Sequence, residues 1–185
     1  MGIAHRHIAE RGFEGLRVRD VAAEAGINHA TLLHYFPTKE ALIQGVVDFL
    51  LREFQISRVP RPGGAALTPL TELRLEFDDL RLRFRDAPEM MAVLGELFGR
   101  ARRDPALATI LQRLDDGWRG YLTGILARGV QGRTFRADLD LETTATAIMV
   151  QLKGAGLQAL ARPDPAETDR VIALMCDQIE RWLLD

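Results

Sequence analysis

Hydrophobic residues recur along this chain at the three- and four-residue spacing that places them on one side of a helix. Val18, Val21, Ala22 and Ala25, for example, stand at positions i, i+3, i+4 and i+7. No segment shows the alternation of polar and apolar residues, bounded by turn residues, that is typical of a strand. The pattern therefore predicts an all-α fold with about nine helices.

Capping residues, glycines and prolines set the predicted ends of these helices. The proline- and glycine-rich stretch 58–69 predicts a loop. We expect one domain at residues 1–45 and a second at residues 46–185, because the fourth helix is long enough to link them. Glycines 117, 120 and 124 should weaken the seventh helix unless close packing makes use of them. The predicted helices span residues 3–11, 18–25, 28–36, 38–57, 70–86, 88–103, 106–129, 141–161 and 166–184.

The segment from Gly26 to Pro37 has the most distinctive pattern. Gly26 can end the second helix, Asn28 can cap the third, and Pro37 follows its last turn. Leu32 and Phe36, four residues apart, should face inward, which leaves mostly hydrogen-bonding side chains outside. Burying so many polar groups would be costly. Two helices joined by a short glycine-containing turn, with the second polar on its outer side, are typical of a helix-turn-helix.

Composition adds limits to this interpretation. The 185 residues carry a formal charge of −2 and are 47% hydrophobic, which suits a core of one or two domains and argues against indiscriminate nucleic-acid binding. No stretch approaches the roughly 20 apolar residues of a membrane helix, and the N-terminus lacks the apolar core of a signal peptide. We therefore expect a cytoplasmic protein with no membrane partner. Cys176 is the only cysteine, so no intramolecular disulfide is possible.

Candidate chemical groups are few. All four histidines lie within the first 40 residues. His5 and His7 are two positions apart and cannot share a helical face, so we predict solvated surface positions for them rather than a metal site. No Ser-His-Asp arrangement, carboxylate pair in a known motif or nucleotide-binding fingerprint is recognisable. We therefore expect no catalytic site, no metal and no cofactor.

Several short motifs stand at fixed spacing within about the first fifty residues. They are Glu10-Arg11-Gly12-Phe13, Val18-Arg19-Asp20-Val21-Ala22, Ala25-Gly26-Ile27, Thr31-Leu32 and His34-Tyr35-Phe36-Pro37-Thr38-Lys39-Glu40-Ala41-Leu42. Together they resemble the tetracycline-repressor (TetR) family of bacterial regulators. The run 135–140 and the helices around it are similar, more loosely, to the ligand-binding and dimerisation domain of that family.

In that family the third helix enters the DNA major groove, and residues beside it hold phosphates. The resemblance implies phosphate contacts from Tyr35 and Lys39, and the N-terminal helix position of Lys39 also favours a phosphate. Arg17, which stands where the family often has a capping Ser or Thr, adds a cation. Arg19 can reach a guanine edge or a backbone oxygen. Leu33 replaces a common aromatic residue and leaves only apolar contact, such as with a thymine methyl. The implied groove contacts are Asn28, His29, Ala30, Thr31, Leu33 and His34.

The C-terminal helices suggest two further sites. Aromatic and apolar residues of the middle helices could line a ligand cavity, although such residues are more often plain core. The last two helices could pair with those of a second copy in a four-helix bundle, with Gly154 and Gly156 allowing close approach. The candidate cavity residues are Phe77, Phe98, Trp118, Tyr121, Leu122 and Met149. The candidate interface residues are Leu152, Gly156, Leu160, Ile172, Met175, Ile179 and Trp182.

We therefore predict a homodimeric transcription repressor that binds a palindromic DNA operator and is released by a small-molecule inducer. An inducer between the middle helices should shift the fourth helix and so change the spacing of the two DNA-reading helices. The alternative is a helical dimer that binds a small molecule or a protein and has lost operator binding, because the first helix is short and the N-terminal charge is balanced.

Overall fold

The computed structural model describes residues 1–56 and 67–184 of the chain. These residues form nine helices and no strand, which confirms the all-α prediction. The predicted end of the fourth helix at Ser57 and most of the predicted loop 58–69 lie outside the described residues. The helices are α1 (Gly2–Gly15), α2 (Val18–Glu24), α3 (His29–Tyr35), α4 (Lys39–Ile56), α5 (Pro69–Asp86), α6 (Pro88–Ala101), α7 (Pro105–Gln131), α8 (Leu141–Ala161) and α9 (Pro165–Leu184).

The helix ends follow the capping residues of the sequence. The Thr68 hydroxyl accepts a hydrogen bond from the Thr71 N–H at the start of α5, where Pro69 occupies the first turn. The Asp140 carboxylate accepts one from the Thr143 N–H at the start of α8. Gly12, the predicted end of the first helix, is a kink with a φ of 65°, and one further helical turn continues to Gly15. None of the described helices has the length and hydrophobicity that would let it span a membrane.

The described helices belong to two compact units. The first unit contains α1 to α4 together with α6, and the second contains α5 and α7 to α9. The first unit is therefore discontinuous in sequence, because α5 separates its fourth helix from α6. The boundary between two domains that the sequence predicts between residues 45 and 46 stays a prediction.

Helix α1 of the first unit uses both of its sides for packing. Ala4 and Ile8 are buried, and so are His5 and His7, with 8% and 3% of their surface exposed. The prediction that these histidines are solvated is therefore wrong. The His5 ring lies edge-on to Phe49 of α4, with 6.4 Å between ring centres, whereas His7 bonds to α2. Because different helices cover the two positions, both can be buried without sharing a face.

The second unit is built around one hydrophobic cluster that α5, α7, α8 and α9 share. Ion pairs join the same helices at its margin, including a two-bond pair between Arg74 and Glu180 and a pair between Arg128 and Glu72. Such exposed pairs add little stability, so burial of the apolar cluster holds this unit together. The buried members are Leu73, Phe77, Leu122, Ile125, Leu126, Phe135, Ala145, Ile148, Met149, Leu152, Ile172, Ile179 and Leu183.

At the end of α7, an aromatic ring packs directly on a glycine of this unit. The Phe135 ring folds back onto Gly129, and a β-carbon at Gly129 would lie 1.9 Å from that ring. The N–H groups of Thr134 and Phe135 both donate to the Gly129 carbonyl, at 2.8 and 3.1 Å. At Gly117 and Gly120 of α7, in contrast, an added β-carbon would meet no atom within 4 Å. Within the described chain, packing therefore explains Gly129 but not those two glycines.

Replacing Gly129 by alanine should destabilise the second unit by about 1–3 kcal/mol, because the new methyl group must displace the Phe135 ring. The control Gly117→Ala should instead be neutral or stabilising by up to about 1 kcal/mol, since alanine is the better helix former and space is free. Urea-induced unfolding followed by circular dichroism measures both. Equal stability of the two variants would contradict this account of α7.

His5 should make stability depend on pH. Burial lowers the pKa of His5 below its ordinary value of 6.5, with Glu89 opposing the shift. The unfolded chain therefore takes up a proton at higher pH than the folded chain, so stability falls as the pH drops below 6.5. His5→Leu should flatten this decline, by at most about 1.4 kcal/mol per pH unit. Unfolding free energies at about pH 7.5 and about pH 5 test it, and identical pH slopes for parent and variant would refute it.

Candidate nucleic-acid interface

Helix α3 is short and is held by bonds at both ends. The Asn28 Oδ1 accepts a hydrogen bond from the Ala30 N–H at 2.8 Å, which caps the first turn as predicted. The Phe36 N–H donates to the Leu32 carbonyl at 2.8 Å and closes the last turn before Pro37. These bonds satisfy backbone groups that a seven-residue helix would otherwise leave free.

Two side chains fasten α3 to the rest of the first unit. Leu32 is buried, and Phe36 is half-buried. The Phe36 ring lies against Gly45 of α4, where a β-carbon would stand only 2.8 Å from it. The predicted inward side of α3 is therefore correct, and Gly45 provides the space that Phe36 needs.

The opposite side of α3 is open to solvent. Ala30, Thr31, His34 and Tyr35 are exposed, whereas His29 and Leu33 are half-buried at the margin. The His34 and Tyr35 rings pack edge to face with 5.3 Å between their centres, and Tyr35 keeps 70% of its surface exposed. Of the predicted groove contacts, Asn28, Ala30, Thr31 and His34 are therefore exposed, and His29 and Leu33 are partly accessible.

The turn between α2 and α3 has a defined geometry. Gly26 has a φ of 66°, a conformation that glycine adopts without strain. The N–H groups of Gly26 and Ile27 donate to the carbonyls of Ala23 and Ala22, both at 3.1 Å. This bonding pattern is the Schellman motif that ends helices at a glycine.

Three cations flank this surface. Arg17 and Arg19 are exposed, and neither forms an ion pair within the described part of the chain. Lys39 Nζ donates to the Glu14 carbonyl at 3.2 Å, which ties the start of α4 to the end of α1. The Thr38 hydroxyl caps α4 by accepting from the Ala41 N–H at 3.1 Å. Lys39 therefore lies in the first turn of a capped helix, where the helix dipole also favours an anion.

A further cluster near this surface was missed by the sequence analysis. Arg6 and His7 of α1 both bond to Glu24, the last residue of α2. The pKa of Glu24 is lowered, chiefly by the hydrogen bond from His7 and further by Arg6. The available signal was the position of Glu24, because a carboxylate in the last turn of a helix is disfavoured by the dipole unless it has a partner.

The candidate ligand-cavity residues do not all come together. Phe77, Leu122 and Met149 are buried in the core of the second unit, and Trp118 and Tyr121 pack against that core. The Trp118 Nε1 donates to the Glu76 carboxylate at 2.8 Å. Phe98 belongs to α6 and therefore to the first unit.

The candidate interface residues also separate into two groups. Leu152, Ile172 and Ile179 are buried in the core of their own chain, and Gly156 is buried beside Phe84. Leu160 and Met175 are half-buried, whereas Trp182 is exposed. Besides Trp182, the exposed large apolar side chains described in α8 and α9 are Val150, Leu157, Val171, Leu174 and Leu184.

A capped, exposed helix that follows a tight glycine turn, with cations beside it, defines a helix-turn-helix DNA-binding protein. Two family models agree with this assignment. Residues 3–46 match the model for bacterial regulatory proteins of the tetR family, and residues 73–184 match the model for the C-terminal region of BetI-type transcriptional repressors. The chain therefore belongs to the TetR family of bacterial transcriptional regulators, and it is a ligand-responsive DNA-binding repressor.

Individual relatives are distant but extend along most of the chain. The regulator CymR of Pseudomonas putida is 28% identical over 173 residues, which cover 89% of this chain and 79% of CymR. The repressor KstR2 of Rhodococcus jostii is 29% identical over 151 residues, which cover 77% of this chain and 69% of KstR2. The family is one of regulators rather than of enzymes.

Solved structures share the fold. A TetR regulator from Haloarcula marismortui has a TM-score of 0.84 at 21% identity, with 100% of this chain and 95% of that chain covered. A regulator from Saccharomonospora viridis, solved in complex with choline, has a TM-score of 0.78 at 23% identity and the same coverage.

Substitutions on the exposed surface should separate phosphate contacts from base contacts. Lys39→Ala should weaken binding to all duplexes and reduce the salt slope by about 1, because one phosphate contact is lost. His34→Ala should mainly change sequence preference, since its ring can bond to base edges. Fluorescence anisotropy with labelled duplexes at several salt concentrations measures both effects.

Arg113→Ala is the matched control for charge, because Arg113 is an exposed cation of α7 in the second unit. It should leave duplex binding unchanged. If the Lys39 and His34 variants bound like this control, the assignment of the α3 surface would be wrong.

Proposed function

We propose that two copies of this protein bind a palindromic operator, with α3 of each copy in the major groove, and that a small-molecule inducer releases them. The observation that supports this most strongly is the exposed polar side of α3, which faces away from the anchoring side chains Leu32 and Phe36. One short helix can specify only a few base pairs. Two copies related by a two-fold axis double the contacts and read an inverted repeat.

The side chains of α3 favour base recognition through hydrogen bonds and methyl contacts. This helix contains no Arg or Lys. Thr31 and His34 can bond to base edges, and the methyl of Ala30 and the side chain of Leu33 suit a thymine methyl. Asn28 uses its oxygen as the helix cap, which leaves its amide nitrogen to donate. His29 is at the margin of the same surface.

Phosphate binding falls to residues outside the exposed centre of α3. Arg17 and Arg19 flank it from the α2 side, and Lys39 and Tyr35 flank it from the α4 side. Lys39 is already oriented by the Glu14 carbonyl. Because the whole chain carries a net charge of −2, these local cations rather than an overall positive potential must bring the surface to DNA.

For the dimer, we propose the exposed apolar side of α8 and α9. Leu157 and Leu174 keep 70% and 53% of their surface exposed in the single chain. Val150 and Leu157 stand seven residues apart on α8, and between them Gly154 has no atom within 4 Å of the space a β-carbon would fill. A partner helix can therefore approach closely there. Trp182, from the original set of candidates, extends this surface along α9.

A groove between α8 and α9, which Val171 also lines, could take a partner side chain. Ala155 and Gln158 of α8 line it together with Thr168 and Val171 of α9. In this proposal Leu152, Ile172 and Ile179 support the interface from within the core, while their exposed neighbours make the contact.

The inducer should bind in the second unit beside Trp118 and Tyr121, which are half-buried next to Phe77, Leu122 and Met149. Phe77 and Leu122 are fully packed, so a ligand must displace side chains, and binding energy can thereby drive a change of shape. A coupling of about 1–3 kcal/mol would change operator affinity about 5- to 150-fold.

Helix α6 is suited to carry that change, together with the predicted shift of α4. Its chain neighbours α5 and α7 belong to the second unit, whereas α6 belongs to the first. The Arg100 guanidinium lies over the Phe13 ring at 5.4 Å, and the Glu96 carboxylate lies beside Gly12. A rearrangement of α5 or α7 would therefore pull on a helix that packs on the kink of α1.

Selection of duplexes from a random pool by the full-length protein tests the proposal. An inverted repeat should be recovered, and analytical ultracentrifugation at micromolar concentration should show a dimer. Leu157→Arg should yield monomers and weaken binding to the recovered duplex at least about tenfold, because a charge would have to be buried in an apolar contact.

Leu82→Arg is the matched control, since Leu82 is an exposed leucine of α5 outside the proposed interface. This variant should stay dimeric and bind normally. A parent protein that is monomeric, or that recovers no preferred duplex, would refute the proposal and favour a helical binding module without an operator.

A further inference from the structure

Two residues of α1 converge on one carboxylate at the end of α2. The Arg6 guanidinium donates to Glu24 Oε1 at 2.5 Å, and the His7 Nε2 lies 2.7 Å from Glu24 Oε2. The His7 side chain is only 4% exposed, whereas those of Arg6 and Glu24 are 45% and 42% exposed. Glu24 therefore reaches from the surface to a buried ring.

Two features of this arrangement cost free energy. A carboxylate in the last turn of a helix opposes the helix dipole. The His7 Nδ1 is buried without a hydrogen-bond partner in the described structure, which costs free energy. Because Nδ1 has no acceptor, we assign the N–H that bonds to Glu24 to Nε2.

Helix α2 needs such a tie because little apolar surface holds it. Only Val21 and Ala22 of its seven residues are buried. A second, looser pair joins Arg11 to Asp20 at 3.9 Å, one turn before Glu24. Arg6 thus pairs with the last residue of α2 and Arg11 with a residue one turn earlier, so two charged pairs join α1 to α2.

Glu24 also stands directly before the turn to α3. Ala25, Gly26 and Ile27 follow it in the Schellman turn, and Asn28 then caps α3. The turn is fixed by hydrogen bonds to Ala22 and Ala23, so a tilt of the α2 end would be passed on to α3. Base recognition is sensitive to such tilts, because bonds to base edges require defined distances and angles.

We propose that Glu24 is a positioning residue for sequence recognition: its bonds to Arg6 and His7 hold the end of α2 so that α3 meets base edges in register. This inference rests on the proposed operator binding. It assigns to Glu24 no contact with DNA. Its loss should reduce discrimination between sequences while leaving phosphate contacts in place.

The test compares Glu24→Gln with the control Glu14→Gln, both in the full-length chain. Glu14 is an exposed carboxylate of α1 whose side chain bonds to no described residue. Lys39 bonds to its backbone carbonyl, which a glutamine at this position also carries. Each change removes one negative charge, which by itself should strengthen DNA binding slightly. A glutamine at position 24 replaces one of the two carboxylate oxygens by an N–H₂ group, although Arg6 and His7 bond to separate oxygens. One bond must then be lost, or the His7 ring must take the tautomer whose Nδ1–H is buried without a partner.

The probes are the duplex recovered by selection with the parent protein and a random duplex of equal length. The readout is the ratio of the two affinities by fluorescence anisotropy, under conditions where circular dichroism shows a folded protein. Glu24→Gln should lower this ratio about tenfold with an unchanged salt slope, because bases rather than phosphates lose their contacts. Glu14→Gln should leave the ratio as in the parent.

Arg6→Gln decides the question if Glu24→Gln does not fold, because Arg6 is half-exposed and the buried His7 keeps its bond. It should lower the ratio several-fold as well. An unchanged ratio in the folded Glu24 and Arg6 variants, or an equal fall in Glu14→Gln, would overturn the inference. A parent protein that prefers no duplex would instead refute the proposed function.

Discussion

The position of helix α3 depends on one small packing contact. Helix α3 buries a single side chain, Leu32, and its last turn is held by the Phe36 ring in the space beside Gly45. Every exposed group of α3 takes its direction from these two anchors. A larger residue at position 45 would push the ring away and rotate the whole surface. The exposed side chains of α3 can therefore vary without loss of the packing that Leu32, Phe36 and Gly45 provide.

Near this surface, the positions of individual charged side chains matter more than the total charge of the chain. The chain is slightly acidic overall, and many of its charged side chains are paired with each other. Arg17 and Arg19 are exceptions within the described part of the chain. Unpaired cations need not break an internal bond before they meet a phosphate, so their binding energy is available at once. Lys39 differs from them because it already holds the end of α1.

The sequence predicted the helices well because their ends carry their own chemical signals. Helix α8 begins after Asp140 and ends before Arg162 and Pro163, as predicted, since capping and chain breaking are local effects. Burial in α1 could not be predicted in the same way. His5 and His7 are covered by two different helices, and spacing along one helix does not show how many neighbours it has.

The same limit of spacing along one helix applied to the candidate ligand-cavity and interface residues. Periodicity showed that Leu152 and Ile172 face an apolar neighbour, but it could not show whether that neighbour belongs to the same chain or to a second copy. The structure places both residues in the core of their own chain. Phe98 was grouped with the ligand cavity because α6 lies between α5 and α7 in sequence, yet α6 is part of the first unit.

The division into units also bears on the order of folding. The ribosome delivers α1 to α4 first, but their unit is incomplete until α5 and then α6 have been synthesised. A fragment that ends after α4 would lack the Arg100 guanidinium over Phe13 and the Glu96 carboxylate beside Gly12. Evolution therefore cannot exchange this DNA-binding module as one uninterrupted stretch of gene without also re-creating its contacts with α6.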